Sequence, residues 1–304
     1  MHLYSRIGTL ITLGLLSLGI SRAADLPPLN DPPNQESHPG KFVWGDLLTD
    51  NADSAAKFYT SLLGWTAETV ERTTPSGPKP YIVLSNAGRP VAGITHRPRR
   101  MGDQAHGRWV GYISVPDVGQ ALARATAGGG RVISKAKNVP NRGTQAIFAD
   151  SEGAILGLMH SSTGDPGEYL PEPGDWTWSE LFARNPVDAG KFYRDLAGYG
   201  FMPDTRTPRP DDYILTSGGY SRASVIPLSD KAKVHAIWLL FVRVANVRET
   251  VARVKALGGR VVVAPTDEPT TYWRAVIGDP DGADIGLVQL DAPATATASK
   301  EAKP

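Results

Sequence analysis

An internal repeat restricts this chain more than any other feature, because one stretch of sequence must build the same structure twice. Trp44-Gly45-Asp46-Leu47 returns 134 residues later as Trp178-Ser179-Glu180-Leu181. Lys57-Phe58-Tyr59 returns as Lys191-Phe192-Tyr193 at the same shift, followed in each copy by a leucine (Leu62, Leu196), a glycine (Gly64, Gly198) and an aromatic residue (Trp65, Tyr199). Farther along, His106, Trp109, Gly129-Gly130-Arg131-Val132 and Asp150 return as His235, Trp238, Gly258-Gly259-Arg260-Val261 and Asp279, now at a shift of 129. The second copy has therefore lost a net five residues, most simply in loops near 73–80 and 207–211, where length changes are tolerated.

Within each copy the apolar pattern alternates between strand and helix periods. Phe42 to Leu48 reads as a strand; Asp50 or Asn51 can cap a helix with Ala55, Phe58, Tyr59 and Leu62 on one face, and Gly64 ends it. In the second copy Asn185 is the cap, Pro186 takes the first helical position and Gly198 is the stop. A second unit starts at the strands Trp109 to Val115 and Trp238 to Val244, continues into helices capped by Asp117 and Asn246, and closes with strands around the turns at Asp150 and Asp279. The expected fold is α+β, with two tandem domains, each of two paired βαβββ units forming a cupped mixed sheet. The domains span 41–162 and 175–291, each long enough to bury a core of its own, and 163–174 is the linker.

Composition narrows the partners. Lys plus Arg number 32 against 31 for Asp plus Glu, so there is no surplus positive charge to attract a phosphate backbone, and nucleic acid is not an expected partner. Cysteine is absent, which excludes disulfides, thiolate metal sites and a cysteine nucleophile. Arg6, the apolar run Ile7 to Ile20 and Ser21-Arg22-Ala23 stand in the order of a signal peptide over 1–23. That order predicts a periplasmic or secreted protein with no stable membrane insertion after processing. The Pro-rich stretch 24–40 reads as an extended tether, and 292–304 as a disordered tail.

The strand core Trp-x-Asp/Glu-Leu, the helix end Phe-Tyr-x-x-Leu-x-Gly-aromatic and the late Asp-Pro-Asp-Gly turn together resemble the vicinal oxygen chelate superfamily of glyoxalases, bleomycin-resistance proteins and extradiol dioxygenases. The resemblance covers about Lys41 to Ser162 and Asp175 to Asp291. It implies two cups that take a small organic ligand, in a monomer or homodimer. It also implies places for divalent-metal ligands on the first and last strands of the units. Those places fall at Trp44, Gly93, Val110 and Gly157 in the first copy, and at Trp178, Ala223 or Ser224, Leu239 and Gly286 in the second. None of these side chains is a good ligand for a transition metal, so no cofactor is expected. The alternative is a divalent metal held with help from Glu180 and His235.

Asp46 and Glu180 lie two residues beyond Trp44 and Trp178, hence on the same strand face. Each is a candidate general base or polar anchor, or else a hydrogen-bonded structural carboxylate needing Arg274, His106 or His235 nearby. His106 and His235 are candidates because they recur at equivalent points; the competing reading is a ring nitrogen bonded to backbone. Trp44, Trp109, Trp178, Trp238 and Arg274 are candidate ligand contacts, although large aromatics are often simply core. The leading function is an exported small-molecule-binding protein of the glyoxalase/bleomycin-resistance type, with or without a metal-independent activity. The alternatives are a metal-dependent lyase or extradiol-type dioxygenase, and a non-catalytic scaffold with filled cups.

Overall fold

A computed structural model describes residues 26–74, 76–98, 107–207, 209–229, 235–266 and 273–290. The expected signal peptide, the C-terminal tail and His106 lie outside these residues. The first copy runs β1 (Phe42–Thr49), α1 (Ala52–Leu63), β2 (Thr66–Arg72), β3 (Lys79–Asn86), β4 (Arg89–His96), β5 (Arg108–Ser114), α2 (Val118–Ala127), β6 (Arg131–Val139), β7 (Gly143–Ala149) and β8 (Ile155–His160). The second runs β9 (Trp176–Ala183), α3 (Pro186–Ala197), β10 (Gly200–Pro203), β11 (Tyr213–Ser217), β12 (Tyr220–Pro227), β13 (Ile237–Arg243), α4 (Val247–Val254), β14 (Arg260–Val263), β15 (Trp273–Gly278) and β16 (Asp284–Gln289). Each copy is thus two βαβββ units sharing one eight-stranded sheet, ordered β2-β3-β4-β1-β5-β8-β7-β6 and β10-β11-β12-β9-β13-β16-β15-β14. The sheets are mixed, since β1 and β4, β5 and β8, β9 and β12, and β13 and β16 pair in parallel.

Local chemistry sets the helix limits as the sequence predicts. Asn51, rather than Asp50, caps α1 by accepting from the Ser54 amide, and Gly64 closes it at φ +76°, a left-handed conformation that glycine adopts without steric cost. Asn185 and Gly198 do the same for α3, with Pro186 in the first turn. Register refines the length change between copies. Asp46 stands beside Gly93 and Glu180 beside Ser224, so the shift at β4 and β12 is 131. Three residues are lost before β11 and two more between β12 and β13, a split the sequence did not separate.

The cores differ from expectation, because neither copy buries its helical side alone. One apolar cluster joins Leu47, Phe58, Tyr59 and Leu62 of the first copy to Leu240, Val242, Val254 and Ile277 of the second. Another joins Val118, Phe148 and Leu156 to Leu181, Tyr193, Leu196 and Val225. Each fully buried large apolar side chain contributes roughly 1.5–3 kcal/mol relative to exposure, so separating the copies would forfeit the part of both clusters' stabilisation that lies across the junction.

Matched hydrogen bonds cross the same junction. The Trp109 indole donates to the Tyr59 hydroxyl at 2.8 Å, and that hydroxyl donates to Asp279 of the other copy at 3.2 Å. Reciprocally, Trp238 donates to Tyr193 at 2.8 Å, and Tyr193 to Asp150 at 2.9 Å. The repeated tyrosine and the repeated turn aspartate therefore meet between copies.

Residues 26–39, part of the extended tether expected from the prolines, form a strap held against the protein at Leu26 to Asn30 and by side-chain bonds farther along, with 31–37 exposed. Leu26 is buried with Val70, Tyr81, Val83 and Val139. Pro27 accepts a hydrogen bond from Arg142 through its carbonyl. Asn30 donates to the Gly164 carbonyl at 2.7 Å and Asn34 to the Asp165 carbonyl at 2.9 Å, tying the strap to the linker.

Candidate functional site

Strand alternation decides which side chains enter each cup. In the first, Trp44 and Asp46 of β1, Tyr81 of β3 and Tyr112 of β5 converge. Asp46 accepts from the Trp44 indole at 2.8 Å, from the Tyr81 hydroxyl at 2.6 Å and from the Tyr112 hydroxyl at 3.1 Å. The Arg142 guanidinium lies 3.7 Å from the Trp44 ring centroid and, with Asp46, Tyr81 and Tyr112, is almost completely buried. Burial, reinforced by the charge of Asp46, pushes both tyrosine hydroxyls well above their ordinary range, so they remain protonated donors. Burial pushes the Arg142 guanidinium down, and Tyr81 and Asp46 oppose that. The cup is thus filled by its own side chains and roofed by the strap.

The second cup has the same plan with different chemistry. Tyr112 becomes Phe241, without a hydroxyl; Gln145 becomes Arg274; and Tyr81 becomes Asp212, since β3 and β11 pair with β4 and β12 in equivalent register. Replacing a phenol by a short carboxylate opens space. A cavity of about 170 Å³ lies here, lined among others by Trp178, Glu180, Asp212, Ser224, Phe241 and Arg274. Glu180, 2% exposed, is gripped by Arg274 at 2.8 and 3.0 Å, a two-pronged charge-assisted pair. Burial raises the Glu180 carboxyl, and the Arg274 charge only partly offsets this, so the carboxylate is a stronger proton acceptor than an exposed one. The Trp178 indole donates to Ser224 at 3.1 Å, which settles Ser224 rather than Ala223 as the cup-facing residue of β12. Two further pairs stand at the rim, Arg206 with Asp204 at 2.9 Å and Arg209 with Asp212 at 2.8 Å.

Several expected site residues are elsewhere. Trp109 and Trp238 are corrected from ligand contacts to core: each is one residue from a cup-facing position, so alternation turns it to the helical side, where it bonds Tyr59 or Tyr193. His235 is exposed just before β13 and lies against Gly153 of the other copy, where an added Cβ would stand 3.5 Å from the histidine's own. It is not beside Glu180, whose partner is Arg274. Asp46 faces its cup as expected, and its partners among the described residues are Trp44, Tyr81 and Tyr112 rather than His235 or Arg274. Sequence reasoning missed Tyr81, Tyr112, Arg142 and Asp212, the residues that distinguish the closed cup from the open one. Only the shift of 131, visible in strand register, aligns Tyr81 with Asp212.

The metal places do not fit a metal. A Cβ built on Gly93 would fall inside the Tyr81 hydroxyl, on Gly157 inside the Tyr112 ring, and on Gly286 inside the Phe241 ring, so aromatic side chains fill the volume a ligand would need. Among the described residues no three His, Cys, Asp or Glu side chains cluster as a ligand set.

Known proteins share both the sequence pattern and the architecture. A family model described as the Glyoxalase/Bleomycin resistance protein/Dioxygenase superfamily matches residues 41–158, and one described as a Glyoxalase-like domain matches 180–288. The anthracycline biosynthesis protein DnrV of Streptomyces peucetius is 31% identical over 264 residues, covering 83% of this chain and 94% of that protein. The 2,3-dioxygenase LapB from Pseudomonas sp. KL28 shares the fold with a TM-score of 0.56 at 12% identity, covering 84% of this chain and 94% of that one. The Mn(II)-bound glyoxalase from Novosphingobium aromaticivorans does so with a TM-score of 0.54 at 14% identity, covering 83% of each chain.

Proposed function

The chain belongs to the glyoxalase/bleomycin resistance protein/dioxygenase superfamily, and from that premise we propose that it binds a compact organic molecule in the cup of its second copy. The main support is the cavity of about 170 Å³ lined by Trp178, Phe241 and the pair of the buried Glu180 with the half-buried Arg274. Apolar faces supply contact area, while a few fixed polar groups orient the ligand. The first cup serves as structure: its carboxylate already accepts three hydrogen bonds, and the strap closes it. The filled-cup alternative thus applies to one copy and not to the other.

Glu180 acts as the hydrogen-bond or proton acceptor for the ligand, and Arg274 keeps it ionised. The residues at the family's metal-ligand places, chiefly Gly, Trp and Leu beside filled space, do not support a metal-dependent lyase or dioxygenase reaction. Trp178 gives the test its signal. Quenching of tryptophan fluorescence by single-ring compounds should saturate in the native chain and in Asp46→Asn, and weaken about tenfold or more in Glu180→Gln. If Asp46→Asn abolishes quenching while Glu180→Gln leaves it unchanged, the functional cup has been assigned to the wrong copy.

Export belongs to the same proposal. Its support is the sequence order of Arg6, the apolar run and Ala23. Intact-mass measurement of the protein from its native envelope should give a chain beginning at Ala24; a product retaining Met1 speaks against it.

A further inference from the structure

The cup of the second copy contains a carboxylate used on one side only. Asp212, 2% exposed, accepts two hydrogen bonds at Oδ2, from Thr207 Oγ1 at 2.9 Å and Arg209 Nε at 2.8 Å, with Arg209 Nη2 completing the ion pair at 2.8 Å. Its Oδ1 is buried and accepts no hydrogen bond among the described residues. Buried polar atoms are rarely left unpaired, because desolvation without a partner is costly. Asp212 lines the cavity, and it replaces Tyr81, the residue whose hydroxyl reaches Asp46 in the closed cup.

Resting on the reading that this cup binds ligand, we propose that Asp212 selects it, by accepting a hydrogen bond at Oδ1 from a hydroxyl or amino group on a small, uncharged, planar ring. Three observations define that class. Size comes first: a cavity of about 170 Å³ lies below the roughly 300–1,000 Å³ of pockets for drug-sized ligands, which leaves room for a single ring. Shape is set by Trp178 and Phe241, apolar rings in the cavity lining over which the Arg206 and Arg274 guanidiniums lie at 5.8 and 5.3 Å, a surround that suits a small apolar body. Charge is balanced, because Arg206, Arg209 and Arg274 each already face an acid, Asp204, Asp212 and Glu180. A ligand carboxylate would meet Asp212 Oδ1 with like charge, whereas a hydroxyl or amine supplies the missing donor.

Phenol, anisole and benzoate separate these demands, since the first donates, the second has the same ring but no donor, and the third is anionic. Binding measured by protein-observed NMR should be at least tenfold tighter for phenol than for anisole, with benzoate no tighter than anisole. In Asp212→Asn the phenol-to-anisole ratio should fall severalfold, because the amide donates where the carboxylate accepted and leaves Glu180 as the remaining acceptor. Asp212→Tyr combined with Ser224→Gly, which restores the pairing of the closed cup, should abolish binding of all three while the chain stays folded by circular dichroism. Equal affinity for phenol and anisole, or tightest binding of benzoate, overturns the role of Asp212 and leaves the cup intact as a site. No binding of any of the three to the native chain overturns the cup reading itself.

Discussion

Tyr59 and Asp279 show how a single side chain's titration reports the junction between copies. Burial raises the Asp279 carboxyl to about 6, against the amides of Ala283 and Asp281 and the Tyr59 hydroxyl, which favour the ionised form. Because the folded-state value lies above the unfolded one, the folded chain binds the proton more tightly. The resulting stabilisation is complete below the unfolded value near 3.8 and is lost as pH rises through about 6. A carbon-detected NMR titration should therefore find Asp279 ionising near pH 6. Tyr59→Phe should move the midpoint higher, since it deletes a donor to the carboxylate. It should also cost about 1–3 kcal/mol in a urea melt, because the Trp109 indole loses its acceptor. A midpoint that stays in place or falls would mean that the hydroxyl does not bond Asp279 in solution.

The strap and the strand β11 explain why two copies of one plan end up unlike. In the first copy Leu26 packs on Tyr81 and Val83 of β3, and Arg142 beneath it donates to the Pro27 carbonyl. In the second, β11 is preceded by Asp212 in place of the tyrosine. Leu26→Asp places a charge in that apolar cluster, which should release residues 26–29 and lower stability by about 2–4 kcal/mol. Hydrogen exchange should quicken at the amides of β3 and near Arg142, while ring binding to the second cup stays as before. Unchanged exchange over β3 would show that the strap is a passive covering rather than part of the closed cup.

Shared cores make the two copies one folding unit. Both large apolar clusters draw on each copy, and the Trp-Tyr-Asp bonds run across the junction in both directions. Urea unfolding followed by far-ultraviolet circular dichroism and by tryptophan fluorescence should give one coincident transition. Tyr193→Phe should lower its midpoint without splitting it. Two resolved transitions, one per copy, would mean that the junction contributes little to stability.

The repeat, the helix limits and the α+β class were legible in the chain before any folding, because they rest on local signals: Asn caps, glycine stops and apolar periods that act within a few residues. Trp44, Asp46, Trp178 and Glu180 were legible as cup-facing for the same reason, since a strand fixes the parity of its neighbours. The same parity turns Trp109 and Trp238 to the core, although as large aromatics they are equally suited to line a cup. Which cup is open was beyond such signals. That depends on Tyr81 and Asp212 coming into register across hairpins of unequal length, and on Arg142 and Leu26 arriving from distant segments. Folding also made the Glu180–Arg274 pair, 94 residues apart in sequence, and the sharing of cores between copies. Such contacts arise from packing between elements, for which a linear pattern carries no periodic signal.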